Sequence, residues 1–268
     1  MNSETITLLD RVYRMQSKDN VRLHVDALKS AIDRELEAFD LQYKLTTEAA
    51  GPFIQARIRL DGTDSFAAMN LLALNHGMQR DPVDIVSLHP GKVIHRAKIK
   101  SPGKVGFGIF IDIGSKDGKD ALYPQFAMRE QLTAGKKEST RQIARIHGFC
   151  DGFGMEVAIA GHKPGGKTTV ELGPATTREF LTWVQDGRDR ILCHGELTWR
   201  LRDGFTTQVG TTKRFIFQDA GFLDTIVTCD AKTDGAGIIA LVGKHFPQVR
   251  MGVFNGTKVA KYHQEPDS

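Results

Sequence analysis

Two neighbouring stretches near the middle of the chain, VIHRAKIK at residues 93–100 and VGFGIFIDI at residues 105–113, decide the fold. The first alternates apolar and polar side chains, as a half-buried strand does, and the second is a strand interrupted by glycines. Three further short strands follow at residues 121–123, 155–160 and 168–172. Five strands of this size, with glycines clustered at their ends, predict a Greek-key barrel of the OB type over residues 89–173.

The segments on either side of the barrel, 1–88 and 174–255, mix strand and helix signals. In the first, apolar residues recur at helical spacing at Val25, Leu28, Ile32 and Leu36. The first segment therefore shows the order β-α-β-β-α, with residues 83–88 available as a fourth strand, and the second shows β-α-β-β-α-β. Both orders predict ferredoxin-like domains, so we expect an α+β multidomain protein. The polar residues 256–268 are expected to form a flexible tail.

The chain has 268 residues, of which 40% are hydrophobic and 25% are charged. This composition is typical of globular proteins. No run of about 18 apolar residues and no secretory signal is present, so we expect a cytoplasmic location without a membrane span. Cys150, Cys193 and Cys229 form no CxxC pair and are expected to be buried, reduced thiols. His147 stands at a ligand-like spacing from Cys150 but has no second such pair, so we expect no metal and no cofactor.

Positive charge is concentrated in the middle of the chain. Residues 89–173 carry 14 Lys and Arg against 8 Asp and Glu, whereas residues 1–88 carry 10 against 13 and residues 174–268 carry 12 against 11. A helical insertion at 125–149 contributes basic side chains at Arg129, Lys136, Lys137, Arg141 and Arg145. The asymmetry predicts contacts with phosphates; the alternative is a solvated, slightly basic surface.

The middle segment resembles the S-one-type RNA-binding domain, named after the largest small-subunit ribosomal protein. The likeness runs in order through Gly91-Lys92-Val93, the strand FGIFIDIG at 107–114, ALYP at 121–124 and a closing hairpin at 155–172. Tyr123 stands where that family usually has histidine, and the insertion is longer than the family's helical turn. The whole chain also resembles an archaeal family known only as a domain of unknown function, which has this barrel near its centre.

The resemblance implies that single-stranded RNA crosses the second and third strands, with bases stacked on Phe107, Phe110 and Tyr123. It also implies polar and basic contacts from His162, Lys163 and Lys167. Strand alternation predicts that Phe110 points outward, whereas Phe107 shares the side of the interior residues unless Gly106 or Gly108 introduces a bulge. The alternative is that these aromatic side chains pack the barrel or its insertion.

Residues 161–168 read GHKPGGKT and match the phosphate-loop pattern of nucleotide-binding enzymes. That motif needs a helix directly after the loop, so that its N-terminal amides face the phosphates. The following residues, TTVEL, favour a strand, and Gly173-Pro174 ends it. We therefore predict a hairpin and keep a nucleotide hydrolase as the alternative. No HExxH or GxSxG motif is present, and we expect no catalytic residue.

These observations predict a non-enzymatic RNA-binding factor associated with the ribosome or translation. Its expected partners are single-stranded or ribosomal RNA and ribosomal subunits, and no membrane. A second hypothesis is an RNA-delivery subunit of a processing or degradation complex.

Overall fold

The computed structural model describes residues 2–13, 18–79, 83–84, 87–162, 167–211 and 213–264. It is an α+β structure with one closed five-stranded barrel between two open sheets, which confirms the predicted mixture of helices and strands and the central five-stranded barrel. In these residues no helix is both long enough and apolar enough to cross a membrane.

The N-terminal module is a three-stranded antiparallel sheet covered by two helices. Its elements are β1 (Ser3–Tyr13), α1 (Lys18–Leu36), β2 (Leu41–Ala50), β3 (Phe53–Gly62) and α2 (Ser65–His76). The strand order is β1-β3-β2, so β3 lies between the two strands that α1 connects. The helix packs the fully buried Leu28 and Ile32 against Ile58 and Leu60 of β3, as its apolar spacing predicts.

The predicted fourth strand of this sheet is not formed by the described part of 83–88. Val83 makes an isolated parallel bridge with Ser115, and residues 85 and 86 lie outside the described residues. The free edge of β1 pairs only at Leu8, which makes an isolated antiparallel bridge with Met78 among the described residues. The expectation of a fourth strand at 83–88 is therefore wrong for this sheet, because the segment turns towards the barrel.

The barrel follows as a second module and contains two helices between its third and fourth strands. Its elements are β4 (Val93–Lys100), β5 (Gly108–Asp112), β6 (Ala121–Pro124), α3 (Gln125–Thr133), α4 (Thr140–Ile146), β7 (Gly154–His162) and β8 (Thr168–Leu172). The closed order is β4-β5-β6-β8-β7, with β6 and β8 parallel and the other described pairs antiparallel. This arrangement is consistent with an OB-type barrel.

The C-terminal module is a four-stranded antiparallel sheet with the order β10-β11-β9-β12. Its elements are α5 (Pro174–Asp186), β9 (Arg190–His194), α6 (Thr198–Val209), β10 (Phe215–Gly221), β11 (Asp224–Cys229), α7 (Gly235–Val242), a 3₁₀ turn (Gly243–His245), β12 (Arg250–Phe254) and α8 (Gly256–Gln264). Asp234 caps α7, since its carboxylate accepts the backbone N–H groups of Ala236 and Gly237.

Residues 256–264 form helix α8, so the expectation of a flexible tail beginning at residue 256 is corrected. Val259 is fully buried, and the Tyr262 hydroxyl donates a hydrogen bond to the Glu138 carboxylate at 3.0 Å. Although this segment is mostly polar, one side of α8 is apolar and packs on α5 and the barrel insertion.

The barrel and the C-terminal sheet share one apolar core. Barrel residues such as Val157 and Met128 belong to the same buried cluster as Leu192 and Phe254. The three cysteines are buried and unpaired, which confirms that part of the sequence analysis. Nowhere in the described ranges are three or more His, Cys, Asp or Glu side chains grouped to hold a metal ion.

Candidate nucleic-acid interface

The second barrel strand, β5, separates an apolar inner side from an aromatic outer side. Ile109 and Ile111 are buried in the barrel, while Phe110 is partly exposed on the opposite face. The alternation follows from the pleat of a strand, in which successive side chains point to opposite faces. The predicted outward position of Phe110 agrees with this geometry.

Phe107 lies outside the barrel, although strand alternation alone favours the interior. Its side chain is 51% exposed, and its ring meets the Phe110 ring edge to face with centroids 6.1 Å apart. Phe107 precedes the first residue of β5, so the alternation does not extend to it. Gly108 allows the close approach of β5 to β6, because a Cβ there would come within 2.4 Å of the Tyr123 carbonyl oxygen.

Lys167 adds a cation to the two aromatic rings. Its Nζ atom lies 5.7 Å from the centroid of the Phe107 ring, at the start of β8. A cation at this distance is attracted to the ring face. Phe107, Phe110 and Lys167 together define a surface that we call the aromatic patch.

The other predicted residues of this loop have different environments. His162 is half-buried, and its Nδ1 atom is hydrogen bonded to the Thr168 hydroxyl at 2.9 Å, across the hairpin. Lys163 lies outside the described residues. After the loop the chain continues as strand β8 rather than as a helix, so the described part of residues 161–168 lacks the strand-loop-helix arrangement of a phosphate loop.

Tyr123 lies inside the barrel, and its predicted place on the RNA-binding face is wrong. Its side chain is fully buried, and its hydroxyl donates a hydrogen bond to Oε1 of Gln131 at 2.8 Å. Burial, reinforced by the nearby Glu171, raises the pKa of this hydroxyl well above its ordinary value. Tyr123 is the register partner of the interior residue Ile109, whereas Leu122 is the partner of Phe110 and shares its outer face.

The basic residues of the insertion do not form one continuous cluster. The Arg129 Nε donates to the Glu138 carbonyl oxygen at 2.8 Å, and the Lys136 Nζ lies 5.8 Å from the Tyr262 ring centroid. Arg141 and Arg145 are exposed on α4, and Lys137 is exposed in the turn before it. The Arg141 Nε donates to the carbonyl oxygen of Gly103 at 3.4 Å, which places α4 beside the loop that leads to Phe107.

A buried ionic cluster joins the three modules, and the sequence analysis did not identify it. The Lys98 ammonium group of β4 contacts Asp10 of β1 at 2.6 Å and Asp224 of β11 at 2.8 Å. All three side chains are at most 1% exposed. Asp10 also pairs with Arg96 at 2.7 Å. A charged residue inside an otherwise apolar strand, as in TITLLDRVY at residues 5–13, is the sequence signal for such a cluster.

Opposite charges favour the ionised forms of Lys98 and Asp10 despite their burial. Burial alone lowers the pKa of Lys98, but the Asp10 and Asp224 carboxylates reverse this effect and raise it above its ordinary value. Burial likewise opposes ionisation of Asp10, but Lys98 and Arg96 lower its pKa. The cluster is therefore a network of paired charges that fixes the orientation of the modules.

His194 extends the cluster as a neutral side chain. Its Nδ1 donates to Oδ1 of Asp224 at 2.5 Å, and its Nε2 accepts the backbone N–H of Tyr13 at 2.9 Å. An Nε2 atom that accepts a hydrogen bond carries no proton, so the ring holds one proton, on Nδ1. At Gly154 a Cβ would lie 2.9 Å from Oδ2 of Asp224, and the glycine thus allows the strand to approach the cluster.

A cleft of about 800 Å³ opens beside the ionic cluster. Its walls come from all three modules and combine charged and aromatic side chains, represented by Arg96, Glu156, Arg178, Phe180, Trp183 and Asp219. Phe180 and Trp183 also belong to the shared core and are largely buried. The polar groups Glu156 and His95 pair with each other at 2.8 Å.

Comparison of the chain with protein-family models, curated proteins and solved structures finds no match.

Proposed function

We propose that this chain is an RNA-binding factor whose barrel binds single-stranded RNA on its outer face. The observation that carries the proposal is the aromatic patch: an exposed Phe107 ring, set against Phe110 and below the Lys167 ammonium group. The proposal names no catalytic residue.

Stacking provides the physical basis for this choice of ligand. Every nucleobase has a π-face, and stacking one on an aromatic side chain contributes about 1–3 kcal/mol. The edge-to-face contact between Phe107 and Phe110 leaves each ring with a different orientation, so bases that stack on both rings must be unpaired and splayed. An unpaired strand meets this requirement, whereas a duplex does not.

Charge supports an anionic ligand. The barrel segment 89–173 is the basic part of the chain, with 14 Lys and Arg against 8 Asp and Glu. Lys167 brings one of these charges to the aromatic patch, where a phosphate linking two stacked bases would lie. The resemblance of the barrel to a ribosomal-protein domain makes ribosome-associated RNA the first target to test.

We infer that the barrel is an OB module of the S-one type and that the flanking modules are ferredoxin-like. The closed order β4-β5-β6-β8-β7, with two helices after the third strand, supports the first assignment. The order β10-β11-β9-β12 across a β-α-β-β-α-β segment supports the second for the C-terminal sheet. The order β1-β3-β2 supports it for the three strands of the N-terminal sheet.

Photo-crosslinking tests the proposed function. The protein is irradiated with a 4-thiouridine-labelled, unstructured RNA, and the crosslinked peptides are identified by mass spectrometry. The proposal predicts crosslinks within β5 and the residues just before it, and near Lys167. Crosslinks confined to the C-terminal sheet, or no complex at low ionic strength, would contradict it.

A further inference from the structure

We propose that the RNA track continues from the barrel onto the helical insertion, where Phe126 is a further base-stacking residue. This inference rests on the proposed function and extends it from the aromatic patch to a longer binding site. Phe126 is the second residue of α3 and is 72% exposed, more than Phe107 at 51%.

The backbone connects Phe126 directly to the aromatic patch. The N–H of Gln125 donates to the carbonyl oxygen of Phe107 at 2.9 Å, so Phe126 is one residue from the contact. Consecutive Cα atoms are about 3.8 Å apart, so the backbone of Phe126 lies close to that of Phe107.

The insertion also holds the loop that carries Phe107. The Thr140 hydroxyl donates to the carbonyl oxygen of Gly106 at 2.8 Å, and the Arg141 Nε donates to that of Gly103 at 3.4 Å. Three contacts thus fasten residues 103–107 to α3 and α4. The backbone at the start of α3, which carries Phe126, is consequently held in a defined position relative to Phe107, as a stacking site requires.

Folding of α3 does not require the Phe126 ring. The helix packs through Ala127, Met128 and Leu132, all of which are buried. A single exposed apolar side chain needs no explanation by itself. Phe126 differs because it follows Gln125, whose backbone is bonded to that of Phe107, and because it lies on the basic insertion.

The insertion also brings an exposed positive charge close to the loop that carries Phe107. Lys137, Arg141 and Arg145 are exposed, and Arg141 approaches the loop before Phe107. Of the two acidic residues in 125–149, Glu138 is hydrogen bonded to the Tyr262 hydroxyl. A phosphate backbone that leaves the aromatic patch towards the insertion therefore meets the Arg141 side chain beside this loop, and we commit to single-stranded RNA as the occupant.

The length of the RNA separates the two parts of the track. A uridine dinucleotide offers one base to each ring of the aromatic patch. An oligouridylate of about twelve nucleotides, within the range of about 4 to 16 that OB-type domains cover, also reaches the insertion. Phe66 provides a matched control, since it is the second residue of α2 and is 59% exposed on the N-terminal module.

Affinities of wild type, Phe126→Ala, Phe66→Ala and Phe107→Ala are measured for both oligonucleotides by fluorescence anisotropy. We expect Phe126→Ala to weaken binding of the longer RNA by roughly tenfold and to leave the shorter one unchanged. Phe66→Ala is expected to match the wild type with both. Thermal unfolding verifies that each variant is folded.

Two failures are distinguishable. If Phe107→Ala weakens binding while Phe126→Ala behaves like Phe66→Ala, the extended track is wrong and the proposed function stands. If neither Phe107→Ala nor Phe126→Ala affects binding, or if the wild type binds neither RNA, both proposals are wrong.

Discussion

The Nζ atom of Lys167 lies 5.7 Å from the centre of the Phe107 ring, although the two residues come from opposite ends of the barrel segment. Strand β6 explains their proximity, because it pairs with β5 on one side and with β8 on the other. Closure of the barrel thus assembles an aromatic and a basic residue on one outer surface. This contact is the structural basis of the proposed RNA-binding face.

Salt dependence is the first expected consequence. Each phosphate that is neutralised by a lysine or arginine releases condensed counterions, so affinity falls as salt rises. For single strands the slope of log affinity against log salt is about −0.7 per contact, and four contacts give roughly −3. Titrations of the full chain at several salt concentrations measure this slope. An affinity that does not change with salt would leave the basic middle segment without a role in RNA binding.

Lys167 is expected to serve RNA rather than nucleotides. Lys167→Ala removes one phosphate-neutralising cation, so it should weaken RNA binding modestly and make the slope of log affinity against log salt less negative by about 0.7. Lys232→Ala, at an exposed position of the C-terminal module, is the control and should have no effect.

The same protein should not bind ATP or GTP, because residues 168–172 form strand β8 and no helix N-terminus follows the loop. Calorimetric titration with each nucleotide measures this. Micromolar nucleotide affinity that disappears in Lys167→Ala would revive the phosphate-loop hypothesis.

Tyr123 should affect stability and not RNA affinity. Tyr123→Phe removes the hydroxyl that donates to Gln131 and leaves a half-buried acceptor without that partner, which costs at most about 1–3 kcal/mol, the range for a fully buried group. Gln131 also accepts the backbone N–H of Leu172 at 3.0 Å, and this second bond limits the loss. Denaturant unfolding of this variant measures the loss of stability, and RNA titration measures whether its affinity is unchanged. A loss of affinity at unchanged stability would place Tyr123 at the interface after all.

The ionic cluster predicts a specific response to acid. Although burial opposes ionisation of Asp10, Lys98 and Arg96 lower the pKa of its carboxyl from 3.8 to about 2. A carboxylate with a lowered pKa stabilises the folded state above its unfolded pKa, and this contribution is lost as the pH falls through the folded value. The free energy of unfolding should therefore decrease between about pH 4 and pH 2 in the wild type.

Asp10→Asn tests that assignment. The variant should be less stable at pH 7, since Lys98 loses one of its two carboxylate partners, and its stability should depend less on pH in the acid range. Asp117→Asn, which changes an exposed aspartate in a barrel loop, should retain the wild-type pH dependence. Equal acid slopes in Asp10→Asn and the wild type would show that Asp10 does not carry the effect.

The barrel was predictable from sequence because its strands alternate clearly and are punctuated by glycines. Residues 168–172 form a strand with the predicted bounds, and so do 93–100. The resemblance implies that Tyr123 is exposed on the RNA-binding face. Alternation within ALYP instead places Tyr123 on the same side of β6 as Ala121, and that side is buried. Alternation favours the interior for Phe107 but does not apply to it, because Phe107 precedes the first residue of β5; its side chain is exposed, as the resemblance implies.

The contacts between the modules could not be predicted from the sequence, because each joins residues that are far apart in the chain. Lys98 stands in a strand that alternates polar and apolar side chains, so its polar side was expected to face water. That side is covered by the N-terminal and C-terminal sheets, and the charge is matched by two carboxylates distant in the chain. Helix α8 was missed similarly, because its apolar contacts come from α5 and the insertion.

The most direct test of the RNA-binding face compares thermal unfolding with RNA affinity in three single variants. Truncating a stacking residue removes about 1–3 kcal/mol of binding, whereas truncating a buried core residue removes about 2–5 kcal/mol of stability. We predict that Phe107→Ala and Phe110→Ala each lower affinity for an unstructured RNA by about tenfold while the melting temperature changes little. Ile109→Ala, from the buried side of the same strand, should do the reverse. Unchanged affinity in folded Phe107→Ala and Phe110→Ala proteins would contradict the account.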